Sequence, residues 1–193
     1  GGSIISYNGK AGFMGLFIVR EDHRGKGLGT ALWHERLRRL RRRLEPEAPI
    51  GMDGVLGMAP FYQKGGFEFL YRDVRYQGIA AGTRDAAAVP LSDVDFARLD
   101  AYDQRNVEAP RTGFLRAWLA QPGGSGVALI DGGTLTGYGF LRPCRKGYKV
   151  GPVFADNAAC GERVLLSLLS LAEGEQVQLD VPEPNQAAVR LAE

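Results

Sequence analysis

Three glycines at alternate positions, Gly25, Gly27 and Gly29, are interleaved with Lys26 and preceded by Arg24. Glycine reaches backbone conformations that turn successive N–H groups into one concavity, and its missing Cβ lets a ligand come close. An apolar strand, Phe13 to Val19, enters this loop, and a helix is predicted to open near Thr30. A helix N-terminus adds unpaired N–H groups and the positive end of a dipole. Arg24 and Lys26 add full charges. The combination describes a pyrophosphate cradle made by Arg24, Gly25, Lys26, Gly27, Leu28, Gly29 and Thr30. Each charge-assisted bond contributes about 1.5–3 kcal/mol, so several must act together. Two common phosphate binders do not fit this loop. A P-loop needs Gly, four residues, then Gly-Lys-Ser/Thr, and a dinucleotide fingerprint needs Gly-x-Gly-x-x-Gly.

The loop does fit Arg-x-x-Gly-x-Gly, as Arg24, Gly27 and Gly29. With the strand Leu16-Phe17-Ile18-Val19 before it, the phrase His23-Arg24-Gly25-Lys26-Gly27-Leu28-Gly29, and the later Tyr62-x-x-x-Gly66-Phe67, the chain resembles the GNAT superfamily of acyl-CoA-dependent N-acetyltransferases. The resemblance is good over residues 1–77 and looser beyond. It implies acetyl-CoA as acyl-donor substrate and a primary amine that attacks the thioester directly. It implies that the strand ending at Val19 splays from its neighbour near Ile50–Val55, with pantetheine in the gap on the backbone of Ile18 and Val19. An N–H around Phe17 or Ile18 would stabilise the oxyanion. Tyr62 matches the general acid that protonates the departing thiolate. The rival reading is a non-catalytic acyl-CoA-binding or regulatory module, which would keep Arg24, Gly27 and Gly29 without turnover.

Other residues carry two readings each. Tyr62 is a general acid or a packing residue with a surface hydroxyl. The strand before the loop holds no ionisable residue, so a general base must come from elsewhere. Asp53, on the next strand candidate, could reach the amine through water, or could stabilise a turn. His23 reads as an exposed loop edge and His34 as a solvated helix face. Arg36, Arg38, Arg39, Arg41, Arg42 and Arg43 read as a solvated, partly snorkelling face rather than an RNA surface. Cys144 and Cys160 read as unreactive, and no metal-ligand spacing is present.

These residues need elements to position them. Ser3–Tyr7 is β-rich and Asn8-Gly9 is a hairpin signal. Trp33, Leu37, Leu40 and Leu44 mark one helix face. Ile50–Val55 is a short strand, and Ala59–Lys64 a short helix with Pro60 in its first turn. Phe67–Tyr76 reads as a strand or hairpin, and residues 79–88 as a linker. Beyond it the order starts again. Ser92 can cap a helix, with Asp95 in the capping-box position. A second helix runs through Phe114 to Leu119. A strand pair turns at Asp131-Gly132-Gly133, then come strand Tyr148–Phe154, helix Val164–Leu169, strand Val177–Val181 and helix Asn185–Leu191.

The fold class is therefore α/β, with two GNAT-like mixed-sheet domains, the first lacking its N-terminal elements. Residues 1–78 form the C-terminal portion of an acetyl-CoA-binding domain. Residues 89–193 form a degenerate GNAT-like domain, like the C-terminal one of some bacterial tandem acetyltransferases. The chain is expected to be an excerpt of a longer protein. In the degenerate half, Asp156 and Glu162 stand where the first half offers Arg24 and Lys26, and are expected to cap the following helix. Residues 1–80 carry 13 Lys and Arg against 8 Asp and Glu, whereas residues 81–193 carry 11 against 14. The basic half suits an anionic ligand. No apolar run spans a bilayer and no signal peptide is visible. Two thiols without a framework suit the cytoplasm. The expected partner is a small-molecule or peptide amine, with no nucleic acid and no membrane; a homodimer is left open.

Overall fold

Asn8 and Gly9 both adopt positive φ, 50° and 79°, the left-handed conformation that hairpin turns favour at Asn-Gly. They join β1 (Ser3–Tyr7) to β2 (Ala11–Gly15), with the Lys10 N–H donating to the Tyr7 carbonyl at 2.9 Å. The computed structural model describes residues 1–193. Contacts divide them into two units, Gly1–Phe69 with Val107–Arg111, and Leu70–Asn106 with Thr112–Glu193.

The first unit continues with α1 (Leu28–Arg41), β3 (Ile50–Met52) and α2 (Ala59–Lys64). Its sheet has the order β1-β2-β3, antiparallel then parallel. The predicted helical stripe is real: Trp33, Leu37 and Leu40 are buried on Met14 of β2, with Phe17, Phe61 and Phe67 packed around them. Burying each large apolar side chain contributes about 1.5–3 kcal/mol. Arg36 shares this buried face, being only 5% exposed. The expectation of a solvated arginine face therefore holds for Arg38, Arg39, Arg41, Arg42 and Arg43 but fails for Arg36. Its position three residues after Trp33 and four before Leu40 turns it inward.

The second unit is built on a mixed sheet of order β4-β9-β8-β7-β6-β5. Its elements are β4 (Asp73–Ile79), β5 (Ala88–Pro90), α3 (Phe96–Gln104), α4 (Thr112–Leu119), β6 (Ser125–Asp131), β7 (Thr134–Pro143), β8 (Tyr148–Ala155), α5 (Ala158–Leu169), β9 (Gln176–Pro182) and α6 (Gln186–Ala192). Successive strand residues face opposite sides. Val127 and Leu129 meet Val164 and Leu168 of α5, while Ala128, Tyr138 and Phe140 meet Leu99 and Leu115 of α3 and α4. The sheet is thus covered on both faces.

Local details depart from the sequence reading. Asp95 is not a capping-box partner of Ser92. It is itself the N-cap of α3, accepting from the Arg98 N–H, because Leu91–Asp93 forms a separate short turn. The strand foreseen within 67–76 runs instead from Asp73 to Ile79 and pairs antiparallel with β9. Residues 80–87 are fastened to the second unit. Ala80 donates to the Glu175 carbonyl at 2.8 Å and accepts from Gly174 at 2.9 Å. Asp85 and Asp131 both grip the Arg163 guanidinium, at 2.8 and 2.6 Å. No helix is long and apolar enough to cross a membrane. Both cysteines are unpaired, Cys160 buried and Cys144 half-buried.

The Arg163 clamp makes a pH-dependent prediction. Its hydrogen bonds hold the Asp85 carboxyl down to about 2, below the ordinary 3.8. A carboxylate depressed in the folded state stabilises it above the ordinary pKa, and that contribution fades as pH falls through the folded value. Arg163→Met should lower Tm near neutrality, and the gap to the parent should close between about pH 4 and pH 2. A gap that stays constant over that window in thermal melts would remove the clamp from the stability of this unit.

Candidate active site

The strand that enters the glycine loop stops earlier than its composition suggests. β2 pairs with β1 up to Ser3↔Gly15 and with β3 up to Met14↔Met52. Leu16 then takes φ 49°, a left-handed conformation uncommon for a residue with a branched side chain. Pairing with the first strand resumes out of step. The Ile18 N–H donates to the Gly1 carbonyl at 2.9 Å, and the Gly1 nitrogen donates back to the Ile18 carbonyl at 2.7 Å. Continued register would have opposed Gly1 to Phe17. Leu16 is the extra residue of a β-bulge, which re-aims everything after it.

The bulge decides which amides are free. Ile18 turns its N–H and C=O to Gly1, so Phe17 and Val19 present theirs to the opposite edge, where β3 pairs with β2. The N–H groups of Phe17 and Val19 have no partner in the protein. The Val19 carbonyl accepts from Arg24 Nε at 3.0 Å. Backbone pairing expected on Ile18 is therefore not open, because Ile18 is occupied on the other side.

In the loop, Arg24 is extended and both Gly25 and Gly27 are left-handed, at φ 72° and 75°. Gly27 is also the N-cap of α1, and no side chain caps that helix. The first intrahelical bond is from Ala31 N–H to the Gly27 carbonyl at 3.0 Å. The N–H groups from Gly25 to Thr30 consequently have no internal acceptor. Gly29 lies under the strand: a Cβ there would sit 3.4 Å from Val19 Cγ2 and 3.7 Å from Phe17 Cζ. The exposed Lys26 ammonium donates to the Asp22 carbonyl at 2.8 Å. His23 is exposed beside the Asp22 carboxylate, 3.7 Å away, and His34 is exposed on α1.

Tyr62 stands on α2. Its ring centroid is 5.3 Å from that of Trp33 and 5.7 Å from that of Phe61. Its other side presses on Gly54, where a Cβ would come within 2.5 Å of Tyr62 Cε2. The hydroxyl has no hydrogen-bond partner in the protein. Burial pushes its pKa above the ordinary 10.0, and the Arg36 guanidinium pulls it partly back. Tyr62 thus keeps its proton near neutrality, as a general acid must. Asp53 is exposed and follows β3 directly rather than lying on it, since β3 ends at Met52. It precedes the Gly54 that touches the Tyr62 ring.

The corresponding loop of the second unit is differently finished. β8 and β9 are paired from Tyr148↔Val177 to Val150↔Leu179. After β8, Asn157 caps α5, its side chain accepting from the Cys160 N–H at 3.0 Å. Asp156 was expected to cap this helix. It instead accepts from the Tyr102 hydroxyl at 2.8 Å and lies 3.8 Å from Arg105. An extended Asn157 (φ −160°) fits the cap geometry, leaving Asp156 turned to Tyr102. Glu162 lies inside α5, past the cap.

A GNAT acetyltransferase domain model matches residues 2–82, and a second GNAT acetyltransferase domain model matches residues 99–193. The holothin acyltransferase of Pseudoalteromonas sp. (strain SANK 73390) is 27% identical over 185 residues, covering 93% of this chain and 60% of its own length. A crystal structure from Pyrococcus horikoshii, described as an acetyltransferase, superposes with a TM-score of 0.82 at 25% identity, over 99% of this chain and 62% of that one. A tandem GNAT protein from the clavulanic acid biosynthesis pathway shares the fold, with a TM-score of 0.59 at 16% identity over 95% of this chain and 70% of that one. The chain thus spans about three-fifths of the length of the first two relatives. Two consecutive matches to one kind of domain, on a bulged strand that opens into a glycine-rich helix start, place the chain in the GNAT acetyltransferase family, in tandem form.

Proposed function

We propose that this chain moves an acetyl group from acetyl-CoA to a primary amine, by direct attack in a ternary complex. The observation that carries the reading is the run of unpaired N–H groups from Gly25 to Thr30, continuous with the free N–H groups of Phe17 and Val19. Together these donors form one track that suits a pyrophosphate at the helix end and an amide-bearing arm along the strand. Arg24 and Lys26 flank the helix end. Phe17 N–H is the donor for the oxyanion formed when the amine nitrogen adds to the thioester carbonyl. As the C–S bond breaks, Tyr62 gives its proton to the leaving thiolate. Asp53 takes the proton lost by the amine, through water. The relative named as a holothin acyltransferase supports transfer of an acyl group. The acceptor is a small molecule or peptide bearing an amine. The two unpaired thiols suit the cytoplasm.

Acetyl-CoA at about 100 times its Kd should stabilise the parent by about 2.7 kcal/mol, a rise in Tm of about 5–10 °C for a chain of this size. Arg24→Glu should reduce that rise to under about 2 °C, because a carboxylate then faces the phosphates. Equal rises in both proteins would dismiss the cradle.

Tyr62→Phe keeps the ring against Trp33 and Gly54 and removes only the proton. Turnover should fall about 10²–10⁴-fold, while acetyl-CoA affinity measured by calorimetry stays near that of the parent. Undiminished CoA release would return Tyr62 to a packing role, and tight binding without release from any amine in the parent would favour the binding-module reading.

Calorimetric titration should also give one acetyl-CoA per chain, since Asn157 closes the α5 end that would hold a second pyrophosphate. A stoichiometry of two, reduced to one by altering the Asp156–Glu162 loop, would overturn the assignment of the site to the first unit.

A further inference from the structure

Arg36 is a buried guanidinium in a stripe otherwise made of Trp33, Leu37 and Leu40. Its Nη2 donates to the Gly15 carbonyl at 2.5 Å and to the Ser3 carbonyl. Ser3 and Gly15 are the last pair of the β1–β2 ladder before the Leu16 bulge. A bulge interrupts the ladder locally, and a buried carbonyl without a donor costs about 1–3 kcal/mol. One guanidinium nitrogen supplies both carbonyls. Space is reserved for it: a Cβ at Gly2 would overlap the guanidinium. Its Cζ also lies 5.6 Å from the centroid of the Phe17 ring, the residue whose N–H is free.

The arrangement is an expensive way to fill a core position. Arg36 Nε and Nη1 are buried and have no partner, and desolvation lowers the pKa of the group. A leucine or methionine here would leave no orphan donors. Packing alone does not account for the residue.

We infer that Arg36 is a positioning residue for acyl transfer: by clamping the Ser3 and Gly15 carbonyls it fixes the Leu16 bulge, and so aims the Phe17 N–H at the developing oxyanion. The kinetic part of this inference rests on the function proposed above; the structural part does not. Arg36 has a second effect on the same site. Tyr62 is surrounded by Trp33, Phe61 and Phe67, by the Met52 and Gly54 backbone region, and by the exposed Asp53 that precedes Gly54; Arg36 is the cation acting on it. A nearby positive charge favours the phenolate left when Tyr62 gives up its proton.

The test uses the full chain with Arg36→Leu and Arg36→Lys. Arg36→Leu should bind acetyl-CoA within about threefold of the parent, since Gly25 to Thr30 are untouched. Its kcat should fall about 10–100-fold with KM nearly constant, the size expected of a small misplacement at the reacting centre. The alkaline limb of its pH–rate profile should move upward. Amide hydrogen exchange at Ile18, whose N–H is paired to the Gly1 carbonyl, should quicken by about tenfold or more. Arg36→Lys, which keeps a charge and can reach a carbonyl, should recover part of kcat and of the exchange protection; it also serves if the leucine variant does not fold. Should kcat stay within about twofold, or should kcat and acetyl-CoA affinity fall together, Arg36 is structural only. If the parent releases no CoA with any amine, the acyl-transfer reading fails by itself. Exchange at Ile18 then decides alone, and unchanged exchange overturns the clamp.

Discussion

The first unit depends on one constraint: backbone N–H groups must be paired or be turned toward something that will pair them. At Leu16 the chain leaves the ladder, and every later amide changes direction. Ile18 closes onto Gly1, while Phe17 and Val19 open to the other edge. Left-handed backbone at a leucine is strained by about 1 kcal/mol or more. Such strain persists where the surroundings over-determine it. Here the Gly1–Ile18 pair fixes one end of the bulge, and Arg36 fixes the other. The side chain of Leu16 gains nothing from packing, being 71% exposed. Its conformation serves the direction of the strand.

The two units finish the same strand, loop and helix in different ways. Both run strand, loop, helix, with a parallel neighbour on one side of the strand. In the first, left-handed Gly25 and Gly27 leave the start of α1 uncapped. In the second, an asparagine side chain accepts from the helix, and the aspartate before it is held by a tyrosine hydroxyl. A capped N-terminus has already spent its donor, and an adjacent carboxylate repels further anions. The two units therefore differ in how each helix begins rather than in the shared order of elements.

The glycine pattern made the loop legible in the sequence, because left-handed positions at Gly25 and Gly27 and a bare α1 start follow from residue type and spacing. Asn8-Gly9 and the Trp33, Leu37, Leu40 stripe were equally readable. The end of β2 was not. A leucine carries no local mark of positive φ, so Phe13–Val19 looked like one uninterrupted strand, and Ile18 looked available. Arg36 was hidden by its neighbours: among many arginines it looked solvated. The signal that distinguishes it is its phase with Trp33 and Leu40, since Arg38 and Arg39 fall outside that stripe and pair with Glu35 at 2.6 and 2.7 Å. The partner of Asp73–Ile79 depends on a pairing about a hundred residues away in sequence, which local pattern does not encode.

That last pairing bears on what counts as a module in this chain. The first GNAT match extends to residue 82 and so includes β4, yet β4 hydrogen-bonds along its whole length to β9, from Asp73↔Pro182 to Ile79↔Gln176. Arg75 of β4 and Asp180 of β9 stand opposite each other, bonded at 2.7 Å, and Lys149 of β8 reaches the same carboxylate. Three adjacent strands are thus linked by one carboxyl group, which these cations hold near 2 instead of 3.8. Without β4, β9 would become a bare edge, with unpaired backbone groups open to other strands. The boundary in sequence and the boundary in structure differ by residues 70–82, which contain this strand. β4 falls within the first domain by sequence match and within the second sheet by hydrogen bonding, so that sheet includes sequence from the domain that carries the glycine loop.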